Sequence, residues 1–196
     1  KMVVDIGAGV TDIATLSAGG IVQCDSAPVG SFDFDEAIIK YVRKEYNVLI
    51  GNLTAEEIKK QIGSVVLRKE EVTVKAKGRN LFSGLPQLFD ISSTDVYNAM
   101  RDTANALCSA IKSVIEKTSP DIIADVMADK IYVTGGGALT NGMEELLSEY
   151  LGCRIKIHYD AEHTVAKGAL IALRNPKLLK NTDYQLRNIQ DIIVEN

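Results

Sequence analysis

Tryptophan is absent, and cysteine, proline and phenylalanine are scarce at three, four and four residues in 196. The odd cysteine count, at Cys24, Cys108 and Cys153, supports no disulfide framework and suits reduced thiols in a cytoplasm. There is no basic surplus: 22 Lys and Arg face 26 Asp and Glu, for a formal charge of −4. General nucleic-acid binding is therefore a poor reading, because nothing is available to neutralise a run of phosphates. No apolar run approaches the ~18 residues of a membrane helix, and nothing at the start reads as a signal or transit sequence. Low-complexity segments and short repeats are also missing. What remains, 46% hydrophobic and 24% charged, is the composition of a folded globular chain. Lys1 leads straight into the apolar run Met2-Val3-Val4, so the expectation is the later part of something longer.

The patterns predict a β-meander followed by alternating helices and strands. Met2–Ile6, Thr11–Leu16 and Ile21–Val29 read as strands around two glycine turns. A helix is expected from about Asp33 to Tyr46, with Phe34, Ile38, Tyr41 and Val42 on one face, and then a loop over Asn47–Leu53. Thr54-Ala55-Glu56-Glu57 reads as a capping box opening a helix to Gly63. Glu71–Ala76 and Leu85–Ile91 alternate like strands. A long helix should follow Ser92-Ser93, and a short one should start at Ser119-Pro120, with proline in the first turn. A strand Ile131–Thr134, a helix Asn141–Leu151, a strand Arg154–His158 and a helix Ala161–Arg174 complete the pattern. The tail, residues 176–196, is polar, with one helix expected over Asp183–Ile193. This order indicates an α/β domain, with the stretch from about Lys44 to Asp95 as an insertion carrying its own helix and hairpin.

Two glycine turns follow apolar strands and are where chemistry is expected. In Asp5-Ile6-Gly7-Ala8-Gly9-Val10-Thr11-Asp12, glycines allow close backbone approach, and the N–H groups of such a turn can cradle a phosphate. Thr11 adds a hydroxyl, and Asp5 at the strand end can hold magnesium, through water. A tight hairpin in which Asp5 merely bonds to the turn fits the residues equally well. Gly135-Gly136-Gly137-Ala138-Leu139 offers a flat backbone for a purine or ribose, and also fits a simple strand-to-helix turn. Neither turn is a Walker loop or a dinucleotide fingerprint. Glu56 and Lys59 stand three apart on one helix face, which also fits a solvated ion pair. Cys153, His158 and His163 are spaced poorly for a shared metal. Ser109-Ala110-Ile111-Lys112 lacks the companions of an acyl-transfer motif.

The ordered set resembles the actin-like ATPase superfamily and, within it, the second half of the MreB/Mbl family of bacterial rod-shape-determining proteins. The Asp5–Asp12 segment is similar to that superfamily's second phosphate motif, and Gly19-Gly20-Ile21-Val22 to the hairpin after it. Asp35–Tyr46, Ile50-Gly51, Thr54–Lys59, Ile62-Gly63-Ser64, Gly78–Leu81 and Gly84-Leu85-Pro86 read closely like segments of the family, and Ile131–Leu139 is similar to its adenosine motif. The resemblance implies a ribonuclease H-like core subdomain (1–43 and 96–175), a smaller inserted α+β subdomain (44–95) and the tail. It further implies ATP and Mg2+ bound between this half and a first half. Asp5 would sit near the metal, and Gly7, Ala8, Gly9, Val10 and Thr11 would hold phosphates. Gly30 would approach the ribose, and Glu56 and Lys59 the adenosine. Gly135, Gly136 and Ala138 would pack on the other side, and Thr11 would help place the attacking water.

The chain also departs from the family pattern. Ala8 and Val10 interrupt the glycines and threonines of the phosphate turn, and Ser31 and Phe32 replace the glycine and aspartate expected after Gly30. The functional expectation is an ATP-dependent cytoskeletal protein that assembles head to tail with itself under the cytoplasmic membrane. It would direct cell shape with cell-wall synthesis and membrane proteins, hydrolysing ATP weakly and only when completed by the first half. The alternatives are a non-hydrolysing nucleotide-binding tether or scaffold, and a small-molecule kinase of the same superfold.

Overall fold

The structure is a computed structural model, and it describes residues 1–175. Strands β1 (Met2–Ile6), β2 (Thr11–Ser17) and β3 (Gly20–Ala27) form the expected antiparallel meander. Two later strands, β7 (Ile131–Thr134) and β8 (Ile155–Ile157), add in parallel to the other side of β1, giving the order β3-β2-β1-β7-β8. Met2, Val4 and Ile6 of β1, with Ile131 and Val133 of β7, are wholly buried and form the floor of the core.

Helix α1 (Ser31–Tyr46) starts two residues before Asp33, whose carboxylate accepts the Gly30 N–H at 2.7 Å. Its buried stripe is Phe34, Asp35, Ile38 and Val42. α1 packs against α3 (Ser93–Lys117), which also lies against β2 and β3. The α3 start follows from its chemistry: the Ser92 hydroxyl accepts the Asp95 N–H, and the Asp95 carboxylate accepts the Ser92 N–H, both at 3.1 Å. α4 (Pro120–Ala128) begins with proline in its first turn, as expected.

The segment between α1 and α3 holds a second sheet, β4 (Val48–Leu49), β5 (Thr73–Asn80) and β6 (Pro86–Ser92), with α2 (Asn52–Ile62) packed on β5 and α1. Residues of both sheets belong to one continuous hydrophobic cluster. Two expectations fail here. Asn47–Leu53 is not simply a loop, because Val48 and Leu49 pair with Asn80 and Arg79. That pairing needs Gly78, where an added Cβ would meet the Val48 side chain at 2.3 Å. The capping box at Thr54 does not form either. α2 starts at Asn52 after an extended Gly51, whose carbonyl accepts the Ala55 N–H at 3.1 Å, so Thr54 lies inside the first turn. From this start the helix buries Ala55, Ile58, Lys59 and Ile62 on one stripe.

The last third is more segmented than the periodicity suggests. Gly136–Leu139 is a 3-10 turn, and α5 (Met143–Leu151) begins only after Gly142, which has a φ of +81°. Ala161–His163 is a second 3-10 turn before α6 (Thr164–Arg174). The helix expected over Asp183–Ile193 lies outside the described residues. Among those described, no three His, Cys, Asp or Glu side chains cluster to hold a metal.

Asp95 also ties α1 to α3 where the chain leaves α1 for the second sheet and returns from it into α3. The Tyr41 hydroxyl donates to one carboxylate oxygen at 2.9 Å and the Tyr46 hydroxyl to the other at 2.8 Å. Burial pushes the Asp95 carboxyl up, but the bonds from Ser92, Tyr46 and Tyr41 outweigh it and hold it below the usual range. Burial and the Asp95 carboxylate push the Tyr41 hydroxyl up to about 12. Asp95→Ala should lower the unfolding free energy by about 2–4 kcal/mol, a cap and two hydroxyl bonds, as read by urea unfolding. A carboxyl held low in the fold contributes stability above its unfolded pKa and loses it as pH falls through the folded one, so the variant should lose less stability in acid. Tyr41 contributes in the opposite sense. Its share is full below its unfolded value and is lost as pH rises toward 12, so Tyr41→Phe should flatten the alkaline limb.

Candidate functional site

Parallel pairing sets Asp5 opposite Thr134, so β1 and β7 end side by side and both glycine turns leave the sheet together. A cavity of about 700 Å³ opens above them, within the usual size of a small-molecule site. One wall is the first turn with the start of α1, the second is α2, and the third is the turn after β7 with Glu162.

On the first wall, the Gly7 N–H closes the turn on the Val10 carbonyl at 2.9 Å. The Ser31 N–H donates to the Gly7 carbonyl at 3.0 Å and the Phe32 N–H to the Ala8 carbonyl at 2.7 Å. This stacking explains Gly30, where a Cβ would fall 2.5 Å from the Ala8 oxygen. Gly7 and Ala8 line the cavity, whereas Gly9, Val10 and Gly30 do not. Thr11 is wholly buried, and its hydroxyl donates to the Val29 carbonyl at 2.7 Å, so it also stands outside the lining. Asp5 stands behind the turn, directly across from Asp12 in the sheet. Burial, and then the Asp12 charge, push its carboxyl above the usual range. Two carboxylates at one strand end suit a hard cation or the water around it.

On the second wall, the expected pairing of Glu56 with Lys59 is replaced. Glu56 pairs with Lys60, one residue further on, at 2.7 Å. Lys59 turns inward because its position falls on the buried stripe of α2. Its ammonium donates to the Ser31 carbonyl at 2.9 Å, the Ser31 hydroxyl at 2.8 Å and the Asp35 carboxylate at 2.9 Å. The pair is almost closed to solvent, at 8% and 7% side-chain exposure. Burial pushes the Asp35 carboxyl up, and the Lys59 ammonium offsets part of that rise. This clasp fixes the distance between α1 and α2, and thereby the width of the cavity. Both Glu56 and Lys59 line it.

On the third wall, Gly135 has a φ of +86°, and a Cβ there would lie 2.3 Å from the Ile6 carbonyl. Gly137 is equally constrained by the Ile6 side chain at 2.4 Å. Only Gly136 faces open space, with Glu162 Cγ nearest at 3.9 Å. Ala138 is wholly buried and points away from the lining, while Gly137, Leu139, Thr140 and Asn141 belong to it. The structure therefore gathers Gly7, Ala8, Glu56, Lys59 and Gly136 around one space, and uses Gly30, Gly135 and Ala138 to let the walls approach. Sequence reasoning missed Asp35, Lys60, Gly63, Arg68 and Glu162 in the lining. For Asp35 a signal existed, an acid inside the apolar stripe of α1.

Removing one partner of a buried pair strands the other. Lys59→Met should therefore cost about 3–5 kcal/mol in urea unfolding, and the double variant Lys59→Met/Asp35→Leu should regain most of it. Asp5 predicts the opposite sign. A carboxyl whose folded pKa is raised contributes fully below its unfolded pKa and loses that share as pH rises through the folded value. Asp5→Asn should thus raise the ligand-free melting temperature at neutral pH, with the gain shrinking below pH ~4.

The family model described as MreB/Mbl protein matches residues 1–181. Cell shape-determining protein Mbl of Bacillus subtilis is 39% identical over 177 residues, covering 89% of this chain and 53% of that protein. Cell shape-determining protein MreB of Escherichia coli K12 is 38% identical over 173 residues, covering 88% and 50%. Among solved structures, MreB5 of Spiroplasma citri bound to ADP superposes with a TM-score of 0.86 at 34% identity, covering 93% of this chain and 55% of that one. The AMPPNP-bound form gives 0.85 at 36%, covering 90% and 53%. The MamK double helical filament, at 21% identity, TM-score 0.74 and coverage of 89% and 54%, shares the fold. The chain spans about half the length of the relatives it matches. With its match to the family model and its identity to Mbl and MreB, it has the actin-like fold and belongs to the MreB/Mbl family.

Proposed function

We propose that this chain is the nucleotide-embracing second half of an ATP-dependent, actin-like cytoskeletal protein that assembles with itself and directs cell shape. The observation that carries the reading is the cavity in which Gly7 and Ala8, α2 and the Gly136 turn converge, at the carboxyl ends of two parallel strands. Supporting it, the names of its relatives Mbl and MreB describe shape determination, and MreB5 has been crystallised with AMPPNP and with ADP. In this reading residues 1–43 and 96–175 form a core subdomain, and residues 44–95 a smaller inserted one. Gly7 and Ala8 would lie against phosphates, with Gly9, Val10 and Thr11 shaping the turn behind them; Asp5 would hold a magnesium ion through water, and Glu56 and Lys59 would face the adenosine. Gly135 and Ala138 hold the wall on which Gly136 meets the nucleoside, and Gly30 packs the turn. ATP supplies the phosphoanhydride whose presence or absence sets the cleft. The chain's own residues position it and exclude water, while hydrolysis needs charge stabilisation from the opposite side of the cleft as well.

Closure of the cleft around nucleotide would favour a head-to-tail, heterologous contact that continues as a filament. Such a filament would lie at the inner face of the cell membrane, in contact with membrane proteins and cell-wall synthesis. A second reading, a non-hydrolysing tether, is favoured by the Thr11 hydroxyl. It is bonded to Val29 rather than presented to the cavity.

The test is sedimentation with electron microscopy of the intact protein, with and without ATP and magnesium. The cytoskeletal reading expects ATP-dependent pelleting of thin filaments that Asp5→Ala abolishes. Soluble protein that still binds ATP would remove the polymer and favour the tether.

A further inference from the structure

The charges lining the cavity are not all balanced. Lys59 is closed onto Asp35 and Ser31, and Lys60 onto Glu56. Arg68 also lines the cavity, but it makes no ion pair among the described residues. One arm of its guanidinium donates to the Gly63 carbonyl at a long 3.3 Å. Its Nε–H is buried with no acceptor among the described residues. Buried donors in folded proteins are almost always satisfied, so an orphan at a cavity wall marks where something else accepts.

The position of Arg68 says what that acceptor is. Beside its Gly63 anchor, the Val65 N–H donates to the Asn141 carbonyl at 2.9 Å, and the Ser64 hydroxyl lies 3.1 Å from the Asn141 side-chain oxygen. These bonds close α2 onto the third wall beyond Gly136. The phosphate-type turn is anchored elsewhere, where Ser31 and Phe32 hold Gly7 and Ala8. A nucleotide with its phosphates at Gly7 and Ala8 therefore presents its base at the Arg68 end. A guanidinium is a planar fork of donors with no acceptor, matched to ring nitrogens and carbonyl oxygens in the plane of a base.

Resting on the nucleotide reading above, we propose that Arg68 is a base-contacting residue, its guanidinium donating to an in-plane acceptor of a purine. It would then set affinity and base preference at this site.

The test compares the intact wild-type protein with Arg68→Gln, Arg68→Met and Arg68→Lys. Equilibrium binding is measured for ATP and for inorganic tripolyphosphate, both with magnesium, beside the ligand-free melting temperature. Losing a charge-assisted hydrogen bond should raise the Kd for ATP about tenfold or more in all three variants, since lysine keeps the charge but not the fork. Tripolyphosphate binding should be unchanged by Gln and Met, and the ligand-free melting temperature should fall only slightly, because the donors lost have a single long bond, to the Gly63 carbonyl, among the described residues. Wild-type ATP affinity in the variants would overturn the proposal and leave the nucleotide reading intact. An equal loss for both ligands would also overturn it, by assigning Arg68 to general attraction of phosphate. A lowered ligand-free melting temperature with unchanged affinity would make it a structural residue. Wild-type protein that fails to bind ATP at all would remove the nucleotide reading and this one with it.

Discussion

The site depends on one piece of sheet geometry, the parallel pairing of β1 with β7. Residues more than a hundred positions apart are brought into register, and the strands end level, with Asp5 beside Thr134. Both chains must then turn away from the sheet at the same place and in very little room. The glycines at 135 and 137 follow from that crowding, because side chains there would strike Ile6. Gly30 follows in the same way, one layer out, from the stacking of α1 on the first turn. What the two glycine turns present to the cavity is therefore largely backbone and small residues, Gly7, Ala8, Gly136 and Gly137, a surface able to meet a flat or highly charged ligand closely.

Upon that floor the Lys59 clasp sets the third dimension. A buried ion pair is a weak source of net stability, because desolvating both charges offsets much of their attraction. Its value here is geometric: Lys59 reaches Ser31 and Asp35 together and holds α2 at a fixed distance from α1. Asp95 does comparable work at the far end of α1, joining it to α3 through Tyr41 and Tyr46. α1 is thus held at both ends by polar contacts and in between by Phe34, Ile38 and Val42.

The fold was largely legible in the sequence where local signals dominate. Short β-branched runs around glycine turns marked the first meander, Ser92-Ser93 and Ser119-Pro120 marked helix starts, and the apolar stripe of α1 marked its buried face. The misses arise where distant residues decide. β4 is two residues long and exists because Gly78 lets it approach β5. The start of α2 was misplaced because a capping box written in the sequence at Thr54 lost to a cap three residues earlier, at Gly51, in a helix that buries Lys59. In the site, the glycine turns and α2 were found, but their residues divide into those that face the cavity and those that only allow the walls to meet. Sequence spacing carries no such distinction. Arg68 was invisible for a related reason: it falls between recognisable motifs, and the contacts of Gly63, Ser64 and Asn141 place it.

The central claim is that the two glycine turns and α2 form one nucleotide-binding surface. The most direct measurement is amide hydrogen exchange on the intact protein, with and without ATP and magnesium. The account predicts slowed exchange concentrated at residues 7–11, along α2 and at residues 135–141, and none on the outer strand β3. Unchanged exchange in those three segments at saturating ATP, or protection confined to another face, would contradict it.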